Sequence, residues 1–216
     1  MAVLGSPTTG LAKDAGTILL LHFNGTAGST LIYDEVSATN LPSDGVVLIG
    51  DGSAEFGTSA LPIILPSSGF SLQDFTAEFI ITIRTGYYIL LGSNTLAGIV
   101  SYCVINEGVD SMSMYLNGTH GTGSGSVPAG EHHIAFTKYQ GSLYFHLNGI
   151  KQGGTVSCAN VPVNFNGGCI GSLRGLNAVM FTDIMHECRI TNYARYTTPT
   201  ITVGVMINKN GENIII

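Results

Sequence analysis

The segment from residue 131 to residue 149, EHHIAFTKYQGSLYFHLNG, places the strongest constraint on the fold of this 216-residue chain. Large apolar side chains occupy alternate positions in both halves of the segment, which is typical of two strands with one buried face. The pattern assigns that face to Ile134, Phe136, Leu143, Phe145 and Leu147. The opposite face of the second half is polar and aromatic. The segment therefore predicts an antiparallel hairpin.

Two dipeptides mark the turns of this hairpin. Gln140-Gly141 separates its two strands, and Asn148-Gly149 follows the second strand. Asn and Gly adopt positive φ more readily than other residues, as tight hairpin turns require. A third strand at residues 150–156 is expected after the second turn, which makes the segment the centre of a meander.

The rest of the chain has the same character. It contains 29 glycines, 10% charged and 44% hydrophobic residues, and it lacks a long helical period, which favours many short strands in one all-β domain. In residues 75–83 every second residue is apolar, which places the core on the side of Phe79. Residues 111–116 form another predicted strand, with Tyr115 facing outward. Residues 117–130 contain five glycines and are expected to form a flexible loop.

Four segments, in this order, resemble the laminin-G-like branch of the concanavalin A-like lectin and glucanase superfamily. They are LLLHFNGTAGST at 19–30, the strand at 75–83, the central hairpin, and FTDIMHECRITNYARY at 181–196. The resemblance implies an all-β, antiparallel two-sheet jelly-roll β-sandwich over residues 17–199. The opening LLLHF and the closing R-I-T-x-x-A-R-Y resemble such domains in virion proteins of tailed bacteriophages.

The two ends of the chain lie outside this domain. Residues 1–16 are small, polar and rich in Gly and Pro, and are expected to form an extended arm. Residues 200–216 are expected to form an added β-hairpin that ends in three large apolar residues, Ile214, Ile215 and Ile216. These three either dock on a neighbouring subunit or pair with a strand of the same sandwich.

The resemblance implies a structural or adhesive protein of a phage particle, on its tail or its head, which carries a lectin-like sandwich. Other virion proteins, further copies of the chain and a host glycan are the expected partners, and the expected location is the virion, assembled in the host cytoplasm. Two alternatives stay open: a capsid or tail decoration protein that binds only virion subunits, and a cellular glycan-binding module or remnant glycanase.

Catalysis is not expected. A retaining glycosidase needs two carboxylates about 5–5.5 Å apart, which on a strand requires acids at alternate positions. Glu78 and Glu187 each stand alone on their strands, and the adjacent Asp34 and Glu35 would face opposite ways. A G-x-S-x-G nucleophile motif is also absent. Glu187 is instead expected to form an ion pair with Arg189 on the same strand face.

The outer face of the central hairpin is the predicted ligand surface. His133, Tyr144 and His146 share it by parity, and Tyr115 is a further candidate on its own strand. Aromatic rings can stack on sugar rings, although the chain contains no Trp. A solvated strand face explains the same residues without any ligand.

Several other partners are excluded or disfavoured by composition. The net charge of −6 with only eight Lys and Arg argues against nucleic acid and anionic membranes. No secretory signal or membrane span is apparent. His186 stands where the family's closing motif usually has Asp, which removes an oxygen ligand and weakens any calcium site that the resemblance implies. No cofactor is expected, and calcium stays open as an unsupported alternative. The four cysteines are expected to be buried thiols: Cys103, Cys158, Cys169 and Cys188.

Overall fold

The computed structural model describes most of the chain. The described residues are 11–50, 52–57, 62–84, 86, 88–93, 101–105, 112–123, 127–173, 181–197, 205–207 and 213–215, the last two ranges by their backbone alone. Every regular element among them is a β-strand. The prediction of an all-β fold is therefore confirmed. None of the described residues forms a helix long and apolar enough to cross a membrane.

The strands follow one another with short connections. They are β1 Thr17–Leu21, β2 Ile32–Asp34, β3 Thr39–Leu41, β4 Val46–Gly50, β5 Ser53–Phe56, β6 Ile63–Ile64, β7 Ser71–Leu72, β8 Phe75–Ile83, β9 Tyr88–Gly92, β10 Tyr102–Ile105, β11 Met112–Leu116, β12 Thr119–Gly123, β13 Gly130–Tyr139, β14 Ser142–Leu147, β15 Ile150–Lys151, β16 Val156–Ser157, β17 Val163–Asn164, β18 Cys169–Ile170, β19 Ile184–Thr191, β20 Val205–Ile207 and β21 Asn213–Ile215.

Two antiparallel sheets contain most of these strands. The larger sheet has nine strands in the order β15-β14-β13-β8-β19-β5-β4, with β1 beside β19 and β16 beside β14. The smaller sheet has six strands in the order β12-β11-β10-β9-β18-β6. The inner faces of both sheets supply one hydrophobic core. The predicted two-sheet antiparallel β-sandwich is thus confirmed.

The core follows the period-two pattern of the sequence. Strand β8 buries Phe75, Phe79 and Ile81 completely, and the neighbouring strand β13 and the segment after β17 supply further aromatic rings. Phe75 packs edge-on against Phe165, with ring centroids 5.5 Å apart, and Phe79 packs in the same way against Phe136 at 6.4 Å. Burial of each large apolar side chain contributes about 1.5–3 kcal/mol, so these rings are a major part of the stability of the core.

The central meander has the predicted turns. Gln140 and Gly141 have φ of 45° and 75°, and Asn148 and Gly149 have φ of 49° and 77°. Positive φ at both central residues matches the right-handed twist of the flanking strands. The third strand is broken into the short strands β15 and β16, which both pair with β14.

The expectation of a flexible loop at residues 117–130 was wrong for its first half. Asn117-Gly118 forms a third turn with positive φ at both residues, and β12 follows it as an edge strand paired with β11. Glycines misled the prediction because two of them are required by packing. A Cβ at Gly121 would lie 2.7 Å from Leu143 Cδ1, and a Cβ at Gly123 would lie 2.9 Å from Phe145 Cβ.

Three of the four cysteines lie where the sequence predicted. Cys103, Cys169 and Cys188 are buried, whereas Cys158 is half-buried, and all four are free thiols. Burial raises the pKa of the Cys103 and Cys188 thiols. These thiols therefore behave as small apolar core groups.

The terminal hairpin is present as β20 and β21, which pair with each other in a separate two-stranded sheet. Ile214 pairs with Met206 and Ile215 pairs with Val205. Ile216 lies outside the described residues, as does most of the predicted arm at 1–16. The docking of Ile214, Ile215 and Ile216 stays a prediction.

Candidate functional site

The structure separates the four predicted ligand-binding residues into two groups. His133, Tyr144 and His146 lie on the outer face of the larger sheet, whereas Tyr115 lies on the outer face of the smaller sheet. His133 is 2% exposed and His146 is completely buried. The expectation that these two rings face solvent was therefore wrong. Tyr144 is half-buried and lies under Lys151, whose Nζ is 5.1 Å from its ring centroid.

Two chain segments cover the histidines and the neighbouring strands. We call residues 11–16 the N-terminal strap and residues 192–197 the C-terminal strap. Leu11 packs against Leu20 and Ile80 on the outer face of the larger sheet. The ring of Tyr196 lies 6.3 Å from that of His133 and 5.7 Å from that of His146. Polar strand faces that look solvated in the sequence are therefore covered by distant parts of the chain.

Glu78 lies at the centre of this covered face and is completely buried. Arg189 donates to both of its carboxylate oxygens, from Nε to Oε2 at 2.7 Å and from Nη2 to Oε1 at 2.8 Å. The hydroxyl of Tyr196 also donates to Oε1, and Nε2 of His133 lies 3.3 Å from the same oxygen. A buried carboxylate is stable only when it is paired in this way.

The titration of this cluster follows from its contacts. Burial by itself would raise the pKa of Glu78, but the hydrogen bond and charge of His133, the charge of Arg189 and the Tyr196 hydroxyl together hold that pKa below its ordinary value. Burial and the charge of Glu78 raise the pKa of Tyr196, which keeps the phenol protonated as a donor. The cluster is thus a buried ion pair of Glu78 with Arg189, to which the Tyr196 phenol donates.

The same cluster ties the two straps together. Nη1 of Arg189 donates to the carbonyl of Ala12 at 2.7 Å, so the cation that neutralises Glu78 also holds the N-terminal strap. The hydroxyl of Tyr193 donates to Asp14 at 2.7 Å, and Arg195 forms an ion pair with the same carboxylate. The closing sequence R-I-T-x-x-A-R-Y therefore fastens both ends of the domain to one sheet face.

The prediction that Arg189 pairs with Glu187 was wrong, because the partner of Arg189 is Glu78. A bulge in the pairing of β19 with β8 lies between residues 185 and 187, and Arg189 lies opposite Glu78. Arg189 therefore uses its guanidinium on Glu78, while the carboxylate of Glu187 accepts the N–H of Leu11. Sequence alone missed the pairing because Glu78 and Arg189 are 111 residues apart.

Tyr115 belongs to a row of three rings on the outer face of the smaller sheet. Tyr102 lies directly across from Tyr115 on β10, and His120 lies across from it on β12. The two tyrosine rings are stacked, with centroids 5.4 Å apart and planes 13° apart, and the His120 ring is tilted 6.4 Å from Tyr115. Both tyrosines are half-buried and His120 is exposed. We call these residues the aromatic row.

A second row runs parallel to the aromatic row, two residues further along the strands. It contains Ile89, Val104, Ser113 and Thr122, each directly across from the next. Ile89 and Val104 form a small apolar cluster with Leu173, against which Tyr102 packs. Thr122 is partly exposed. The other three members of this row, Ile89, Val104 and Ser113, are buried, so the second row adds one accessible hydroxyl to the aromatic row.

The smaller sheet carries no charge within its strands. Its six strand sequences are II, YILLG, YCVI, MSMYL, THGTG and CI, without Lys, Arg, Asp or Glu. The larger sheet, in contrast, contains the ion pair of Glu78 with Arg189. Sequence reasoning found Tyr115 but missed Tyr102 and His120, because only the pairing of β10, β11 and β12 places them beside it.

The position of His186 bears on the expected absence of a metal. Its Nε2 lies 2.8 Å from the hydroxyl of Thr82 and 3.9 Å from the carboxylate of Glu131. Within the described ranges, no three His, Cys, Asp or Glu side chains are grouped to hold an ion.

Comparisons with known proteins support the fold. No family model and no curated protein matches this sequence. The structure is similar to Trypanosoma rangeli sialidase in complex with sialic acid, with a TM-score of 0.63 and 14% identity, covering 85% of this chain and 32% of the sialidase. It is also similar to domain 4 of AbnA, a GH43 extracellular arabinanase from Geobacillus stearothermophilus, in complex with arabinotriose, with a TM-score of 0.60 and 17% identity, covering 87% of this chain and 96% of that domain. At such identities the likeness shows a shared β-sandwich fold.

Proposed function

We propose that this protein is a non-enzymatic glycan-binding β-sandwich, and that the sugar binds on the outer face of the smaller sheet. The single observation that carries the proposal is the aromatic row of Tyr102, Tyr115 and His120 on a partly exposed sheet face. Binding sites for small molecules combine such apolar and aromatic surface with a few well-placed polar groups.

The ring geometry defines how a sugar would be held. The Tyr102 and Tyr115 rings cover each other's faces, so they present their edges and hydroxyls to a ligand. The exposed ring of His120 offers a flat surface for the C–H groups of a sugar ring. Hydroxyl groups of the sugar would then hydrogen-bond to the tyrosines and to Thr122 in the second row.

The other sheet face is a weaker candidate. His133 and His146 are buried under the C-terminal strap, and only Tyr144 of that group is partly exposed. A ligand that used all three residues would have to displace Tyr196, whose hydroxyl is bonded to Glu78. On the smaller sheet, Tyr115 is partly exposed and His120 is exposed, so a ligand can reach these two rings.

The proposal includes the absence of catalysis. It is supported by two carboxylates that are already engaged in contacts within the protein. Glu78 is neutralised by Arg189, and Glu187 accepts the N–H of Leu11. Neither lies on the smaller sheet. The two similar structures are complexes with sialic acid and arabinotriose, which favours a carbohydrate as the ligand of this protein.

The proposal extends to the location of the protein, which we place in a phage virion. The virion would be assembled in the host cytoplasm, with other virion proteins and further copies of this chain as partners. This part rests on the resemblance of the LLLHF and R-I-T-x-x-A-R-Y segments to phage virion domains. A decoration protein that binds only virion subunits is the second candidate, and it predicts virion attachment without sugar binding.

A glycan array followed by isothermal titration calorimetry tests the proposal. We expect Tyr115→Ala and His120→Ala to weaken binding of the glycan selected by the array, since each removes part of the aromatic row. Tyr33→Ala is the matched control, because Tyr33 is 47% exposed on β2, outside both large sheets. Tyr144→Ala tests the alternative face.

Three results would contradict the proposal. Loss of binding in Tyr144→Ala with full binding in Tyr115→Ala would move the site to the larger sheet. Absence of binding to every glycan, together with cosedimentation of the protein with purified phage particles, would favour the decoration protein. Release of reducing sugar from a bound glycan would contradict the non-enzymatic assignment.

A further inference from the structure

Ser113 carries an unexplained polar group on the outer face of the smaller sheet. Its neighbours Met112 and Met114 point into the main core, so the Ser113 side chain points to the opposite face, between Val104 and Thr122. The residue is 1% exposed, and its Oγ has no hydrogen-bond partner among the described residues.

An unpaired buried hydroxyl is unfavourable for the folded protein. Desolvation without a compensating hydrogen bond destabilises by about 1–3 kcal/mol, so such a group calls for a functional or structural reason. Alanine or valine would fill the same strand position without this penalty. The Oγ of Ser113 is therefore a polar atom to which no described group forms a hydrogen bond. It lies in the second row, two residues from Tyr115 on the same face of β11.

Charge restricts the ligand that could use it. The six strands of the smaller sheet, which are the described part of this face, lack cationic side chains, and a carboxylate-bearing sugar that loses water on binding needs a cation or several N–H donors in return. A hydroxyl-rich uncharged sugar requires neither. Its hydroxyls can both donate to and accept from a serine.

We infer that the outer face of the smaller sheet binds an uncharged sugar and that Ser113 Oγ forms a hydrogen bond with one of its hydroxyls. The inference rests on the proposed function, because it assigns the ligand class and a specificity-determining residue of the same site. Thr122 and Tyr115 border Ser113 and are partly exposed. The Oγ of Ser113 is covered in this structure, so the inference requires Tyr115 or Thr122 to turn aside when the sugar binds.

Ser113→Ala tests the residue by two measurements on the full chain. Calorimetric titration with lactose, arabinotriose and maltotriose should show weaker binding, by about 2- to 10-fold, for each sugar that the unmodified protein binds, as expected for one neutral hydrogen bond. The midpoint of thermal unfolding should stay equal or rise, because the variant removes an unpaired polar group. Ser157→Ala, an exposed serine on β16 of the other sheet, is the matched control and should change neither.

Lactose and sialyllactose test the ligand class, because they differ by one charged sugar. We expect lactose to bind at least as well as sialyllactose, with an affinity that is nearly independent of NaCl concentration. Tighter binding of sialyllactose that weakens with added salt would overturn the assignment to an uncharged sugar.

The outcomes separate this inference from the proposed function. If Tyr115→Ala weakens binding and Ser113→Ala does not, the sheet face binds sugar but the role of Ser113 is wrong. If Ser113→Ala lowers the unfolding midpoint, its hydroxyl has a structural partner and the inference fails. If the unmodified protein binds none of the four oligosaccharides and no array glycan, both the proposed function and the inference fail.

Discussion

Removal of the Glu78 carboxylate is the sharpest test of how this domain is held together. In Glu78→Ala the guanidinium of Arg189, which is 5% exposed, loses two short hydrogen bonds and the carboxylate with which it is paired. Among the described residues, half-buried Glu187 is then the remaining carboxylate near this cation. Removal of one partner of a buried ion pair typically destabilises by about 3–5 kcal/mol. The variant should therefore lose a large part of a total stability of about 5–15 kcal/mol.

The expected loss can be measured by urea unfolding and by calorimetry. For a domain of this size, each kcal/mol lowers the unfolding midpoint by about 2–4 °C, so Glu78→Ala should unfold roughly 6–20 °C below the unmodified protein. Glu55→Ala is the matched control, because Glu55 is an exposed glutamate on β5 of the same sheet. That control should change stability by no more than about 0.5 kcal/mol.

The pH dependence gives a second measure of the same cluster. The pKa of Glu78 is lowered in the folded protein, so its stabilising contribution is present above the ordinary value of 4.5 and is lost as the pH falls through the lowered value. The stability difference between the unmodified protein and Glu78→Ala should therefore shrink in acid below about pH 4.5. The reasoning would be refuted if Glu78→Ala behaved like Glu55→Ala at pH 7.

Three further predictions follow from single positions. Gly92→Ala should destabilise by about 1–3 kcal/mol or more in urea unfolding, because its Cβ would lie 2.3 Å from the carbonyl oxygen of Ser172. The control Gly154→Ala should be neutral, because a Cβ at Gly154 would have no atom within 4 Å. Equal effects of the two substitutions would contradict the packing of β9 on β18. Burial raises the pKa of Glu187 despite the hydrogen bond from the N–H of Leu11, so Glu187→Gln should be more stable than the unmodified protein at pH 7. This gain in stability should vanish as the pH falls toward 4.5, and a gain that grows in acid would contradict the raised pKa. A thiol reagent should label Cys158 first in the native protein, and label the other three only on unfolding: Cys103, Cys169 and Cys188.

The strands and the core could be predicted from the sequence because they depend on local alternation. In β8 every second residue from Phe75 to Ile83 is apolar, so the buried face of Phe79 follows from parity. The turns at Gln140-Gly141 and Asn148-Gly149 follow from the preference of their residues for positive φ. These features need only a few consecutive residues.

The covered face of the larger sheet could not be predicted in the same way. His133 and His146 occupy strand positions that look solvent-facing, and only the straps, which are distant in sequence, bury them. The C-terminal strap, residues 192–197, shows no apolar alternation from which its contact with the sheet could be predicted. The buried Glu78 partly reveals such a contact, since an isolated acid among the apolar residues of β8 requires a cation elsewhere.

The candidate site was predicted only at Tyr115. The period of two placed that ring on an outer face, but the identity of its neighbours depends on the register of β10 and β12. The glycines of β12 hid the strand on which His120 lies, because a strand packed closely against another sheet needs small residues that otherwise indicate a loop.

Two-dimensional NMR of the protein with isotope-labelled tyrosine rings, titrated with lactose and arabinotriose, tests most directly where a sugar binds. The account predicts that the ring signals of Tyr102 and Tyr115 shift with saturation, while those of Tyr144 and Tyr33 stay in place. Saturable shifts confined to Tyr144, with Tyr102 and Tyr115 unchanged, would contradict it.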